Sequence, residues 1–401
     1  MTPQVQRWGW KALAIALGTV AIVATVFQSI TSRFIERANG CGFDGAYYCA
    51  MVRGHLAPLP WNQSVLLPVL VRLLTVGTVL NRFLAIDIIS ICICLALTFL
   101  LVRELGGGNW AALAASALVS LNPWTWHFTF SYPANTDELS LAAGMAWLLG
   151  ALRVKWWALP LIAAAVLVRG QWALPIALAT TVIMLRSRPR PVRWAMCSFT
   201  VLIAAGLLAV LQPHTPGPGA TGGLVSTVLY WSHENFRVFH GTALWLWFAL
   251  VGLGLTTVTL LVYLRTFVTK LPALVTISAA LGHVIMATFF GGDTNRLLLP
   301  AFVLLSAVAF AYADNRTGPA LLAVASGGTI LFWRPWQVIK PDDAHFIAGW
   351  GQRAAAWPVD RSQMVDDVQL LIAPLTLMIL IAVWAIHAQR TTYGPSTTRC
   401  G

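Results

Sequence analysis

Apolar runs long enough to cross a bilayer recur from one end of this chain to the other, and that recurrence decides what it can fold into. Hydrophobic residues make up 58% of the 401 positions and charged residues only 10%, a balance that excludes a water-soluble globule. In hydrocarbon, backbone polar groups must be satisfied within a helix or a closed barrel. The runs are rich in Ala, Leu, Val and Trp and lack the ten-residue alternation of an outer-membrane barrel. The expected class is therefore an all-α polytopic membrane protein. Apolar stretches near 12–31, 83–102, 110–130, 137–152, 156–168, 171–185, 195–212, 241–264, 272–290, 297–313, 318–333 and 368–387 predict about twelve transmembrane helices. They form one transmembrane domain over residues 1–401, with the shorter runs tilted, broken or paired within half a bilayer. The first run, from Ala12 to Ile30, follows Arg7 and Lys11 but is too long and lacks a small-residue cleavage pattern, so it reads as an uncleaved span.

Orientation follows from the basic residues. The formal net charge is +12, yet these residues sit in short loops between apolar runs, where they meet anionic headgroups and set topology; that placement points away from nucleic acid. With the N-terminus cytoplasmic, alternate loops carry Arg103, then Arg153 and Lys155, then "RSRPRPVR", then Arg265 and Lys270, then Arg316, and a tail with Arg390 and Arg399. Both termini are then cytoplasmic, and three longer segments, 32–80, 213–240 and 334–367, face the other side. The first contains "PLPWNQSVLLPVLVRLLTVGTVL", which would break the charge parity if it crossed and reads as an interfacial helix. The second opens with a Gly/Pro segment, "PHTPGPGATGG", before "YWSHENFRVFH", a connector or a lid. Without an organellar signal, the basic loops fit a bacterial inner membrane.

Only 14 residues are acidic, and a charge near the bilayer is costly unless something pairs or uses it. Three places remain once the wet loops are set aside: Asp44, the Asp137/Glu138 pair, and Asp293. The topology puts all three near one outer face. Arg296, three residues after Asp293, faces the same headgroup layer, where a guanidinium can fork onto a phosphate; a snorkelling anchor is the plain alternative. Arg169, between two short runs, is expected there too, as a second phosphate contact. Asp87 lies within the second span, and His127 reads as a packed histidine at a span end. Cys41 and Cys49 bracket Asp44 in a loop placed outside the cytoplasm, where a disulfide persists; a bridge and two packed thiols are both compatible with the sequence.

The order of these segments resembles a known family. An outer "FDGAYY" after the first span, an interfacial "LLPVLVRLL", a second span opening "RFLAIDIIS", then "NP…SYPANTDEL" and much later "NRLLLPAF" resemble the GT-C membrane glycosyltransferases that use lipid-linked sugars, their mannosyltransferase branch in particular. The resemblance covers roughly residues 1–175 and 285–305. It implies an inverting transfer from a polyprenyl-phosphate sugar, with Asp44 as the general base toward an acceptor hydroxyl and Arg296 on the donor phosphate. Gly45 would let the backbone approach the sugar, and Tyr47 and Tyr48 would stack on it. Asp293 would orient Arg296, while Tyr132, Asp137, Glu138 and Asn295 would line the pocket. The first outer loop has a lone Asp44 where some relatives carry paired acids for a divalent cation, so no cofactor is expected and a divalent metal, though open, is poorly supplied with ligands. Acceptor class is open among glycan, glycolipid and protein. The competing reading is a transporter or flippase of lipid-linked sugars, which would place polar groups at mid-membrane.

Overall fold

A computed structural model of the chain describes residues 41, 44–57, 61–121, 125, 129, 133–187, 190–210, 228–230, 232, 233, 269–289 and 294–312. Among them all regular structure is helical. The expected spans 12–31, 241–264, 318–333 and 368–387, most of segment 213–240, all of 334–367, and the residues His127, Tyr132 and Asp293 lie outside the described residues.

In chain order the helices are α1 (Asp44–Val52), α2 (Leu66–Leu73), α3 (Val79–Glu104), α4 (Asn109–Leu121), α5 (Asp137–Leu152), α6 (Ala158–Val168), α7 (Ala173–Arg186), α8 (Pro191–Val210), α9 (Leu271–Phe289) and α10 (Thr294–Tyr312); single 3-10 turns occupy Trp61–Gln63 and Gly170–Trp172. Three of them, α3, α8 and α9, are long and apolar enough to cross a membrane. The predicted runs and these helices coincide closely, because an uninterrupted apolar run in lipid has no cheaper backbone solution than a helix.

Local signals set the ends. The Thr78 hydroxyl accepts from the Asn81 backbone N–H at 3.2 Å and caps α3, and at the other end Gly106 takes the left-handed conformation (φ 97°) that closes a helix. Helix α2 buries Leu67, Pro68 and Val71 while exposing Val69 and Leu73. Eight residues rise about 12 Å, far short of a crossing.

The interior is built on small side chains. Ala112, Ala115, Ala273, Ala301 and Ala307 are fully enclosed, which brings backbones close where no hydrophobic effect drives helices together. Helix α9 is central, with 61% of its apolar window buried, and α8 is peripheral at 22%, turning Phe199 and Leu202 outward.

Contacts separate the bundle into two ends. At one, Arg153 bonds Glu104 at 2.7 Å, Arg103 donates to the Gly107 carbonyl at 2.7 Å, Gly107 lies against Ala311, and Lys270 sits 4.8 Å over the Tyr312 ring. These are the loops whose Lys and Arg residues define the expected cytoplasmic side. At the other end Gly45 meets Ala134, and Gly170 meets Gln63. Helices α3 to α8 therefore alternate in direction; α9, which starts at the basic end beside Lys270, runs the same way as α8, and α10 returns to the basic end.

Candidate active site

The sequence predicts a loop at Asp44; the residue stands instead in the first turn of α1. The reason lies in the buried positions, Gly45, Tyr48, Cys49 and Val52, whose spacing is that of one helical face. Helix N-termini favour negative charge, so the carboxylate is well placed electrostatically. Its Oδ1 accepts from the Trp61 indole Nε1 at 2.8 Å, and Tyr47 stacks on the same indole with ring centroids 4.1 Å apart. A disulfide joins Cys41 to Cys49, tying the approach to the helix to its middle.

Gly45 and Tyr48, to which the resemblance gives sugar contacts, are both buried in the chain's own packing. Gly45 serves the chain's own packing: a Cβ there would stand 3.0 Å from Ala134 Cβ and 3.1 Å from its carbonyl oxygen, so its smallness lets α1 dock on the segment that leads into α5. Tyr48 is only 4% exposed and has no face to offer a ligand; Tyr47, half-buried, carries the stacking. The phenol of Tyr48 lies between Asp44, Arg169, Thr136 and Ser64. Burial first, and then the Asp44 charge, push its ionisation above the usual phenol value, against the pull of Arg169, so it remains a neutral hydroxyl.

Below α1 lies a buried ionic group. Asp137, in the first turn of α5, pairs with Arg169 at the C-terminal cap of α6. Asn135 Nδ2 donates to Asp137 Oδ2 at 3.0 Å, and Arg169 Nε donates to Gln171 Oε1 at 3.1 Å. Glu138 accepts from the Thr129 hydroxyl at 2.9 Å. Asp87 of α3 is fully buried within electrostatic reach of Glu138. Arg169, expected as a phosphate contact, is thus already engaged by a carboxylate.

A cavity opens beside this pair, lined by Asp137, Glu138, Ser140, Arg169, Trp172 and His283, and closed by Met286 of α9 and Leu297, Leu299 and Pro300 of α10. Trp172 donates its indole N–H to the Ser140 hydroxyl, and its ring meets His283 edge-on at 4.3 Å between centroids. Two glycines shape this corner: any side chain at Gly144 would enter the Trp172 ring, and Gly282 lets α9 rest on Pro175 of α7. The lining by Leu297 to Pro300 brings the first turn of α10, with the backbone of Asn295 and Arg296, to the same end of the bundle as Asp44 and Asp137. For Asn295 and Arg296 only the helical backbone is described.

The layer is recessed. At 1.5 Å per residue, the eleven residues of α6 lift Arg169 about 17 Å from the basic end, and the sixteen of α5 lift Asp137 about 24 Å, against a hydrocarbon core of about 30 Å. The short α6 and α7 are joined there by the Gly170–Trp172 turn. His283, Trp172, Ser140, Thr129 and Trp61 carry no functional signal in the sequence, since a Trp or a lone His in an apolar run looks like any other packed residue.

Helices, composition and a polar recess at one end together define an integral membrane protein with an acid–guanidinium site. The structure is similar to that of ArnT from Cupriavidus metallidurans bound to undecaprenyl phosphate, with 14% sequence identity and a TM-score of 0.47 over 94% of this chain and 75% of that one. No protein-family model and no curated protein matches the chain.

Proposed function

We propose that the chain is a membrane glycosyltransferase of GT-C type, with about twelve spans, which moves a sugar from a polyprenyl-phosphate donor to an acceptor hydroxyl at the extracytoplasmic end of the bundle. The observation that carries the reading is the meeting of an acid and a guanidinium at one phenol: Tyr48 lies within electrostatic reach of both Asp44 and Arg169, from segments more than a hundred residues apart. The lysines and arginines of the opposite end favour the cytoplasm, which leaves the site facing outward in a bacterial inner membrane.

In this mechanism Asp44 takes the proton of the acceptor hydroxyl as its oxygen attacks the anomeric carbon. The bond from that carbon to the phosphate oxygen breaks, its electron pair stays on the phosphate, and polyprenyl phosphate leaves. Arg296 stabilises the growing charge, with Arg169 as the second cation and Asp293 and Asn295 beside them. Trp61 holds the Asp44 carboxylate, and Tyr47 extends the aromatic surface on which a sugar can lie. The donor's own activated bond drives the transfer, and the reading assigns neither metal nor cofactor. A single displacement inverts the anomeric centre.

The depth of the recess is shared with transporters, whose sites lie near the midplane. Against transport, the buried hydroxyls of Thr98 and Thr200 turn back on their own helices at 2.8 Å, and that of Ser116 donates to the Ala112 carbonyl at 3.1 Å and the Leu95 carbonyl of α3 at 3.0 Å, giving no polar path toward the basic end through these positions. The test is transfer of labelled sugar from polyprenyl-phosphate donors by the purified chain in lipid. Arg296→Ala should weaken donor binding and turnover together; a variant that binds donor as the native chain does would remove the phosphate role.

A further inference from the structure

Within the recess the His283 imidazole holds a buried nitrogen, Nε2, that makes no hydrogen bond. His283 is 3% exposed, although the residue lines the cavity beside Ser140 and Trp172. Its neighbours are accounted for: the Trp172 N–H is given to Ser140, and Ser140 donates to the Asp137 carbonyl at 3.0 Å. A buried nitrogen without a partner costs free energy comparable to a lost hydrogen bond, so an atom left in that state beside a polar cavity points to something that enters it.

The cavity restricts what that is. It is a small cavity of about 30 Å³, room for about two waters, which suits one hydroxyl or hydroxymethyl group. Among the described residues its charged lining is two carboxylates, Asp137 and Glu138, against one guanidinium already bonded to Asp137. That balance disfavours a phosphate. A hydroxyl both donates and accepts, so it satisfies Nε2 in either imidazole tautomer.

Resting on the transferase reading, we infer that His283 is a specificity-determining residue that receives a hydroxyl of the donor sugar, while the phosphate lies elsewhere, toward Arg296. The ring is held in position on both sides. Gly282 seats α9 on Pro175, and Trp172, itself fitted over Gly144, fixes the imidazole edge-on.

The experiment compares binding of decaprenyl phosphate and of decaprenyl-phosphate mannose to the full chain in nanodiscs, for the native protein, His283→Phe, His283→Gln and His283→Asn, with thermal melting recorded for each. A Gln amide reaches the place of Nε2; an Asn amide reaches that of Nδ1. Loss of one neutral hydrogen bond should weaken the mannosyl lipid roughly 3- to 10-fold in the Phe and Asn variants, with Gln close to native and the sugar-free lipid unaffected throughout. Equal losses on both lipids, or none, or an Asn variant matching Gln, would overturn the assignment while leaving Asp44 and Arg296 their roles. A native chain that binds neither lipid would overturn the transferase reading and this inference with it.

Discussion

At the scale of single residues, the Asp137–Arg169 pair is where a substitution speaks most clearly. Both side chains are largely enclosed, at 12% and 14% exposure, so removing one leaves the other charge without its closest counter-ion in a poorly solvated place. Arg169→Ala should cost about 3 to 5 kcal/mol of stability, read as a large drop in melting temperature. Arg169→Met combined with Asp137→Leu should restore much of that stability and none of the transfer; a double variant that turns over normally would reduce the pair to scaffolding. The acids of this group are legible from sequence because charges are so scarce in the chain. Their partners are not: nothing in "LVRGQW" says that Arg169 faces Asp137, since the contact depends on how α5 and α6 fold back on each other. His283 carries no signal at all, being a lone histidine in an apolar run, and its unsatisfied nitrogen exists only in three dimensions.

Among the elements, α1 is the one whose position the chemistry needs most and whose packing is thinnest, a nine-residue helix resting on Ala134, Leu67 and Val71. The Cys41–Cys49 bridge spans eight residues, and the chain-entropy account values such a loop at about 2.5 kcal/mol. Cys41→Ser or treatment with a reductant should therefore lower turnover several-fold while the bundle melts close to its native temperature, because most of the buried core lies in the longer helices, outside the cluster that α1 joins. Turnover indifferent to the reductant would mean that α1 holds Asp44 by packing alone. Element boundaries in the membrane are readable nearly to the residue, as for Asp137–Leu152, since apolar length and charged flanks decide them. The helix at Asp44 is hidden by its Gly-rich, aromatic sequence, and its stability comes from the disulfide and from docking, both non-local.

For the molecule as a whole, charge asymmetry and helix length together make the site. Basic loops gather at one end, and the short helices α6 and α7 meet at the Gly170–Trp172 turn toward the other, beside the polar cavity. The sidedness of the acids is visible in the sequence through alternation of the loops; the depth of the recess is not, because a short apolar run does not say whether it tilts, breaks or ends early. Everything then rests on Asp44, at the same end of the bundle as that cavity, acting on an acceptor. The direct measurement is turnover and donor binding of Asp44→Asn in lipid with a labelled polyprenyl-phosphate sugar. The isosteric amide keeps the Trp61 contact and cannot take a proton, so native donor affinity is expected with turnover reduced about 10²- to 10⁴-fold. Turnover within a few-fold of native would contradict a general-base role for Asp44.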